Sequence, residues 1–361
     1  MNSTREKVIN SLNVVGSIAS KDIVDALKNK GTCITIIMMM GMVVFFYWIS
    51  TVRPWDKSIE AIVYDEGDSG LFEGTIELSD SYEIRHIEVS SLGQMKRNMR
   101  HEHWGLVVPA DFEQNLASGS EITLTGYILW AWRGKVAELE TLYSAKFSEL
   151  LGQPVQIEIG ENIVVPSPDI DTTDVNQHIL FVTLFMAITL IPALMQEEKQ
   201  TKTLDALLVS PASTGQVVMG KALAGLFYVV LTGGLFLALN WTYITNWGLA
   251  LLAFLLCALF GIGLALAVSS LLHTPQQLAL WLAPLIIFLI VPTALAGMTH
   301  LAPSLKAIFS WLPTTALVEM FQFAFSSYAP LSQLLKDLAI ALGSTGLVFA
   351  IVIWKVRSSD R

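Results

Sequence analysis

The residues of this 361-residue chain whose spacing most resembles a reaction site are Gly215, Gly220 and Lys221. They match the pattern GxxxxGK of a phosphate-binding loop, in which backbone N–H groups and the lysine hold nucleotide phosphates. The Ser or Thr that should follow the lysine to hold magnesium is replaced by Ala222. A polar segment also stands where the motif requires a buried strand. We therefore predict no ATP site here, and we interpret Lys221 as a lysine that snorkels to the headgroups at the end of a membrane span.

Two further clusters have the residue types of metal ligands. His101 and His103 alternate, so on a strand both imidazoles would face one side, but no further ligands stand nearby. The run Asp169–Asp174 resembles half of a calcium loop, yet it lacks the glycine and the terminal bidentate Glu. A solvated turn and a solvated linker are the alternative interpretations. We predict no metal and no cofactor in this chain.

A segment that fits a docking role lies at 196–221, with the sequence QEEKQTKTLDALLVSPASTGQVVMGK. Leu204, Leu207 and Leu208 recur at the i, i+3, i+4 spacing of an amphipathic helix, which Pro211 would end. Such a short helix between two membrane spans can insert into a groove of a soluble partner. The alternative is a helix that rests on the lipid.

A second amphipathic element is predicted at Lys21–Lys30, ahead of the first apolar run. Ile23, Ala26 and Leu27 would share one face of this helix, with Asp22 and Asp25 on the opposite face. This pattern is typical of an interfacial elbow helix that lies along the membrane surface.

The elements that must position these segments are membrane-spanning helices. A spanning helix needs about 20 mostly apolar residues, and aromatic side chains mark several ends of the apolar runs. We predict six spans: Thr32–Thr51, Ile179–Met195, Ala222–Trp241, Leu249–Leu272, Leu278–Ala296 and Leu338–Trp354.

The distribution of charge predicts the orientation of these spans. The formal net charge is −9, which speaks against a nucleic-acid partner. Residues 53–178 hold 9 basic and 22 acidic side chains, whereas the segments expected on the other side hold 11 Lys and Arg against 7 Asp and Glu. The positive-inside rule then places both termini in the cytoplasm and residues 52–178 outside the inner membrane.

The predicted extracytoplasmic segment mixes strand and helix patterns. We expect strands at Ile59–Tyr64, Ile84–Val89, Trp104–Val108, Glu121–Tyr127 and Val155–Ile159, and helices at Ser91–Arg100, Asp111–Leu116 and Gly134–Leu151. Trp130 and Trp132 either form a contact surface or pack inside this segment. The fold class is therefore an α-helical integral membrane protein with an α+β extracytoplasmic domain inserted between helices one and two.

The predicted domain organisation follows from these elements. Residues 1–31 form a cytoplasmic N-terminus, 32–51 the first span, 52–178 the inserted domain, 179–354 the remaining spans and 355–361 a cytoplasmic tail. Residues 303–330 form an outer segment that is apolar enough to enter the bilayer as a helical pair broken at Pro313. Within that segment, Glu319 lies among phenylalanines and either lines an outer gate or snorkels to the interface.

The lack of charged residues in the predicted spans indicates whether the chain carries its own source of energy. Residues 222–305 contain no Asp, Glu, Lys or Arg, and the other three predicted spans carry none in their cores. Carriers driven by ions or protons keep ionisable residues inside their spans. We therefore expect an external source of energy.

The chain resembles the type-2 ABC transporter permeases, in particular their sodium-efflux and drug-export branch. The resemblance is carried by EEKQTKTLDALLVSP at 197–211 followed by Gly220-Lys221, by the elbow helix, and by the segments Tyr64–Ser69 and Leu106–Phe112. In this family the residues after the second span run acidic or basic, then Thr-Leu-Glu-x-Leu-Leu-x-x-Pro and Gly-Lys.

The resemblance implies a permease subunit that dimerises with a second copy or a paralogue in the lipid bilayer. It would bind separate ABC ATPase subunits and would not itself be an enzyme. The coupling helix seated in the ATPase is implied to include Thr203, Leu204, Asp205, Leu207, Leu208 and Pro211. The leading function is export. The alternatives are an ATPase-coupled envelope module that transmits force or signal without transport, and a receptor-like membrane protein.

Overall fold

The computed structural model describes residues 2–52, 58–67, 75–79, 82–99, 103–166, 173–201, 213–272, 274–296 and 301–359. The helices are α1 (Asn2–Lys28), α2 (Lys30–Val52), α3 (Leu92–Asn98), α4 (Phe112–Ser118), α5 (Val136–Leu151), α6 (Thr173–Thr201), α7 (Thr214–Leu239), α8 (Trp247–Leu271), α9 (Pro275–Ala296), α10 (Pro303–Phe309), α11 (Pro313–Ala324) and α12 (Leu331–Ser359). The strands are β1 (Ser58–Asp65), β2 (Thr75–Ser79), β3 (Tyr82–Glu88), β4 (His103–Val108), β5 (Ile122–Leu129), β6 (Val155–Glu158) and β7 (Ile163–Val164).

Five helices of the described part of the chain are long and apolar enough to cross a membrane, namely α2, α6, α7, α8 and α12. The predicted span at Leu278–Ala296 lies on α9, whose apolar part, Leu280–Ala296, is shorter than the others. The chain is therefore a helical membrane protein.

Helix α8 lies at the centre of these helices. It packs against α6, α7, α11 and α12, and its sequence contains no charged residue. A Cβ added at Gly261 would lie 3.0 Å from Leu184 of α6, and one at Gly263 would lie 3.1 Å from Phe349 of α12. Small residues thus allow α8 to approach neighbours on two sides, as is common where helices pack within a bilayer.

The strands form a mixed sheet in the order β2-β3-β1-β4-β5-β6, with β7 paired to β5. Strand β1 pairs in parallel with both β3 and β4, with Ile62 opposite Ile87 on one side and Gly105 on the other. Strand β4 then pairs with β5 in antiparallel orientation. We call residues 58–164 the sheet unit.

Alternation along β1 supplies two apolar clusters, one on each face of the sheet. Ala61 and Val63 belong to a cluster with residues of α4 and α5, where the rings of Trp104 and Tyr143 stack 4.2 Å apart. Ile62 faces the other way and packs with Met95 of α3. Helices therefore cover both faces of the sheet. Helices α4 and α5 end at Gly119 and Gly152, whose φ angles of 65° and 68° are readily adopted by glycine.

Most of the elements predicted in the sheet unit occur at the expected positions, and two strands were missed. Strand β2 carries an alternating pattern of its own, with Ile76 and Leu78 separated by Glu77. Strand β7 has only two residues, too few for a period to be visible. The predicted helices at Ser91–Arg100 and Asp111–Leu116 correspond to α3 and α4.

The last predicted span was placed too late in the sequence. Helix α12 begins at Leu331, and its apolar stretch is Leu331–Lys355. Lys336 and Asp337 therefore lie inside this helix, just ahead of the predicted span Leu338–Trp354, which itself carries no charge. Leu331 follows Pro330, a residue that is favoured just ahead of or at the start of a helix.

Arg133 joins the sheet unit to the connection between α7 and α8. It lies in a short 3-10 helix, Trp130–Lys135, and donates hydrogen bonds to the carbonyls of Trp130 at 2.8 Å and of Thr242 at 2.7 Å. Its guanidinium carbon also lies 4.2 Å from the ring centroid of Trp130 and 5.4 Å from that of Trp241. Trp130 is thus part of a packed contact.

Two more contacts lie near this junction. The N–H of Ser327 donates to the carbonyl of Pro166 at 2.8 Å. Thr245 Oγ1 makes hydrogen bonds of 2.8 Å to the carbonyls of Ala324 and Ser326. The sheet unit, the α7–α8 connection and the end of α11 therefore meet at one end of the helices.

We expect Arg133→Ala to lower the stability of the full-length chain by about 2 kcal/mol, because two charge-assisted hydrogen bonds are lost. Amide hydrogen exchange at residues 241–243 should become faster. The matched control is Arg97→Ala, which removes an exposed basic side chain of the same sheet unit. Equal exchange at 241–243 in both variants would contradict a joining role for Arg133.

Candidate coupling site

The predicted coupling residues Thr203, Leu204, Asp205, Leu207, Leu208 and Pro211 lie in 202–212, outside the described residues. The structure describes the helices on either side of them. Helix α6 continues to Thr201 and α7 begins at Thr214, so the predicted loop 196–221 is helical at both ends. Helix α7 starts with a capping box, in which Ser213 and Gln216 each accept a hydrogen bond from the other's backbone N–H.

Helix α1 packs along the first half of α7. Gln216 Nε2 donates to Ser11 Oγ at 2.9 Å. About three turns farther on, the hydroxyl of Tyr228 donates to the carbonyl of Ile23 at 2.7 Å. These polar contacts set the register between the two helices.

Gly220 is a point of close approach between α1 and α7. A Cβ at this position would lie 2.6 Å from Ile18 Cγ2 and 3.3 Å from the carbonyl oxygen of Val15. Any larger residue would therefore push the helices apart. Because the contacted Ile18 atoms lie at or next to its Cβ, that side chain has little freedom to move away.

Lys221 forms an ion pair with Asp22 inside this contact. Lys221 Nζ lies 3.4 Å from Asp22 Oδ2, and the two side chains are 6% and 7% exposed. The interpretation of Lys221 as snorkelling to headgroups was wrong, because its ammonium group is buried against a carboxylate of α1. The partners are 199 residues apart in the sequence.

The predicted elbow helix is the last part of the 27-residue helix α1. Ala26 is buried and Ile23 packs against the same cluster, but Leu27 is 55% exposed. Asp22 was expected on the polar face and is instead buried. The buried stripe of α1 is Val15, Ile18, Ala19, Asp22 and Ala26, at helical spacing.

The GxxxxGK pattern lies within α7 and has no loop conformation. Its lysine, Lys221, pairs with Asp22, and Ile18 packs against its second glycine, Gly220. These residues therefore form a helix–helix contact, and their spacing does not correspond to a cradle for phosphates.

The candidate gate residue Glu319 lies on α11, the second of two short helices separated at residues 310–312. Phe321, Phe323 and Phe325 are buried, whereas Glu319 is half-buried. Glu319 Oε2 accepts a hydrogen bond of 2.9 Å from Gln333 Nε2 on α12. The structure thus places Glu319 at the contact between α11 and α12.

Most of the residues predicted as candidate metal ligands lie outside the described part of the chain. His101 and most of Asp169–Asp174 lie outside the described residues. In the part of the chain that the structure does describe, no group of three or more His, Cys, Asp or Glu side chains is placed to hold a metal ion.

Three residues that lie at contacts between elements were not identified from the sequence, namely Asp22, Arg133 and Asp337. For Asp22 a signal was present, because it is a charged residue in the middle of the apolar stripe of α1. Arg133 and Asp337 gained their importance from contacts with distant elements, which no local pattern indicates.

The model of a family described as "ABC-2 family transporter protein" matches residues 30–354. No curated protein matches the chain.

We expect Gly220→Ala to destabilise the chain by about 1–3 kcal/mol, because the added methyl group overpacks the contact with Ile18. The matched control is Gly215→Ala on the same helix, where an added Cβ meets nothing within 4 Å. That control should be neutral or stabilising by up to about 1 kcal/mol. Apparent melting temperatures of the purified chains measure the difference, and equal values would argue against the close approach.

The ion pair predicts a non-additive mutational cycle. Lys221→Met leaves Asp22 buried without its cation, and should cost about 3–5 kcal/mol. The double variant Asp22→Leu with Lys221→Met removes both charges and should recover most of that loss. If the double variant were as unstable as the sum of the single variants, the buried pairing would be refuted.

Proposed function

Because the chain belongs to the ABC-2 family of transporter proteins, we propose that it is the membrane-spanning permease subunit of an ATP-driven ABC exporter. In this proposal, ATP is hydrolysed by separate ABC ATPase subunits. The permease forms a pair with a second copy or a paralogue in the bilayer.

The observation that carries the coupling role is the buried contact between α1 and α7. The proposed coupling residues, 203–211, end two residues before the cap of α7. Gly220 and the Asp22–Lys221 pair then hold α7 to α1 within its first three turns. A displacement of the coupling segment by an ATPase would therefore move α1 and α7 together.

The proposed topology has six spans, because the shorter helix α9 is counted in addition to the five long apolar helices. Helix α7 has 26 residues, so it is about 39 Å long, enough to cross a bilayer. Its first turns contact α1, and the connection beyond its last turn contacts the sheet unit through Arg133. Since the segments rich in Lys and Arg lie toward the α1 end, we place both termini in the cytoplasm and residues 52–178 outside the inner membrane.

In the same proposal, α10 and α11 form a re-entrant outer pair, and Glu319 lines an outer gate. Support comes from the position of this pair beside the sheet unit, where Ser327 contacts Pro166. The Glu319–Gln333 hydrogen bond would then link the gate to the last span.

One observation favours a second candidate, an envelope module that transmits force. The contacts of Arg133 with the α7–α8 connection give α7 a direct link to the sheet unit. Motion at the ATPase end of α7 could thereby reach that unit without any substrate crossing the membrane.

The coupling segment is tested by Leu207→Asp together with Leu208→Asp in the full chain. We expect loss of co-purification with the ABC ATPase subunit that the unmutated chain retains, since two charges would enter an apolar docking face. Leu142→Asp, at a 44% exposed leucine of the sheet unit, is the matched control and should retain the ATPase. Retention by the double variant would refute the coupling assignment.

Export is separated from force transmission by flux. Proteoliposomes with the permease and its ATPase should show ATP-dependent movement of a lipophilic dye or of sodium ions. ATP turnover without movement of either probe, combined with an ATP-dependent change in protease access to the sheet unit, would support force transmission over export.

A further inference from the structure

Asp337 is the most unusual ionisable residue in the described part of the chain. It lies in the second turn of α12 and is 0% exposed. Neither of its carboxyl oxygens has a hydrogen-bond donor among the described residues. An ionised carboxylate in such a place is strongly disfavoured, because it loses its hydration and gains no compensating partner.

A second carboxyl group faces this one. Glu319 of α11 lies close enough to Asp337 to act on it as a like charge. Gln333 lies one helical turn before Asp337 and donates to Glu319 Oε2 at 2.9 Å. Glu319, Gln333 and Asp337 therefore form one cluster across the α11–α12 contact.

The surrounding elements supply no cation that pairs with this cluster. Glu319 is the single charged residue of α11, and α8 has Cys257 as its only titratable side chain. Helix α7 carries Tyr228 and Lys221, and Lys221 is paired with Asp22. On α12 itself, Lys336 is attracted to Asp337, but its Nζ lies 5.7 Å from the ring centroid of Trp311 and forms no ion pair with Asp337 among the described residues.

Two carboxylates are both acceptors, so a hydrogen bond between them requires that one be protonated. Like charges that share a buried site also favour retention of one proton by the pair. We propose that Asp337 and Glu319 form a proton-binding site, in which the protonated carboxyl of Asp337 donates to the carboxylate of Glu319. Gln333 supplies the second donor to Glu319 and thus orients it.

The bound proton holds α11 against α12. Its release would place two negative charges in the contact between these helices, and the contact would weaken. The residue proposed above as a gate is thereby linked to pH. This site goes beyond the proposed function, because it requires neither an ATPase nor a transported substrate.

Infrared spectroscopy of the purified full-length chain tests the site. At neutral pH we expect a C=O stretching band of a protonated carboxyl that shifts when the aspartate carboxyl carbon is isotopically labelled. Asp337→Asn should abolish the band, and Glu319→Gln should shift it, because the acceptor changes from a carboxylate to an amide. Asp111→Asn, at an exposed aspartate with no capping hydrogen bond, should leave it unchanged.

Titration to higher pH should remove the wild-type band in one step. The isotope label shows, in the unmutated chain, that the band belongs to an aspartate, so the presence of a protonated aspartate is tested without a variant; Asp337→Asn then assigns the band to this residue. Absence of a protonated carboxyl at neutral pH, or persistence of the band in Asp337→Asn, would overturn the proposal. A band that disappears on addition of sodium or potassium at constant pH would show a metal-cation site and would also overturn it.

Discussion

The structure depends on one constraint, that a polar group within a bilayer must find its partner inside the protein. Residues 222–305 meet this constraint by having no charged side chain at all. Among the described residues, two pairs of ionisable side chains lie at contacts between helices. Asp22 with Lys221 joins α1 to α7, and in our proposal a shared proton joins Glu319 to Asp337 between α11 and α12. In both cases the cost of burial is acceptable only while the two helices stay together.

Helix α7 connects the two ends of the molecule. At its beginning, a capping box, a glycine contact and an ion pair attach it to α1. Beyond its last turn, the guanidinium group of Arg133 attaches the following connection to the sheet unit. Since the remainder of α7 is apolar and continuous, it can tilt as a rigid body between these two attachments. A permease that alternates between conformations requires a rigid element of this kind.

Local patterns in the sequence were sufficient for the elements and insufficient for the contacts between them. Apolar runs located the candidate spans, and alternation located β5 and β6, because both signals are carried by neighbouring residues. The match to the ABC-2 family confirms the family inferred from the 197–221 motif.

The role of Lys221 was misread because its partner, Asp22, lies 199 residues away. Helix α12 begins seven residues before the predicted span Leu338–Trp354, and its Asp337 is buried although aspartate is a residue that water usually solvates. Burial of this kind is a property of tertiary packing, and no window of the sequence contains it.

The position of β1 has a mechanical consequence. Helix α2 ends at Val52 and β1 begins at Ser58, so the chain passes from the membrane into the sheet at a strand that has neighbours on both sides. A pull transmitted by α2 would load the ladders of β1 with β3 and β4 along their length, so many hydrogen bonds would share the shear at once. A strand at an edge would instead be open on one side. The sheet is therefore attached to the membrane through an internal strand, which can separate only if the ladders on both of its sides break.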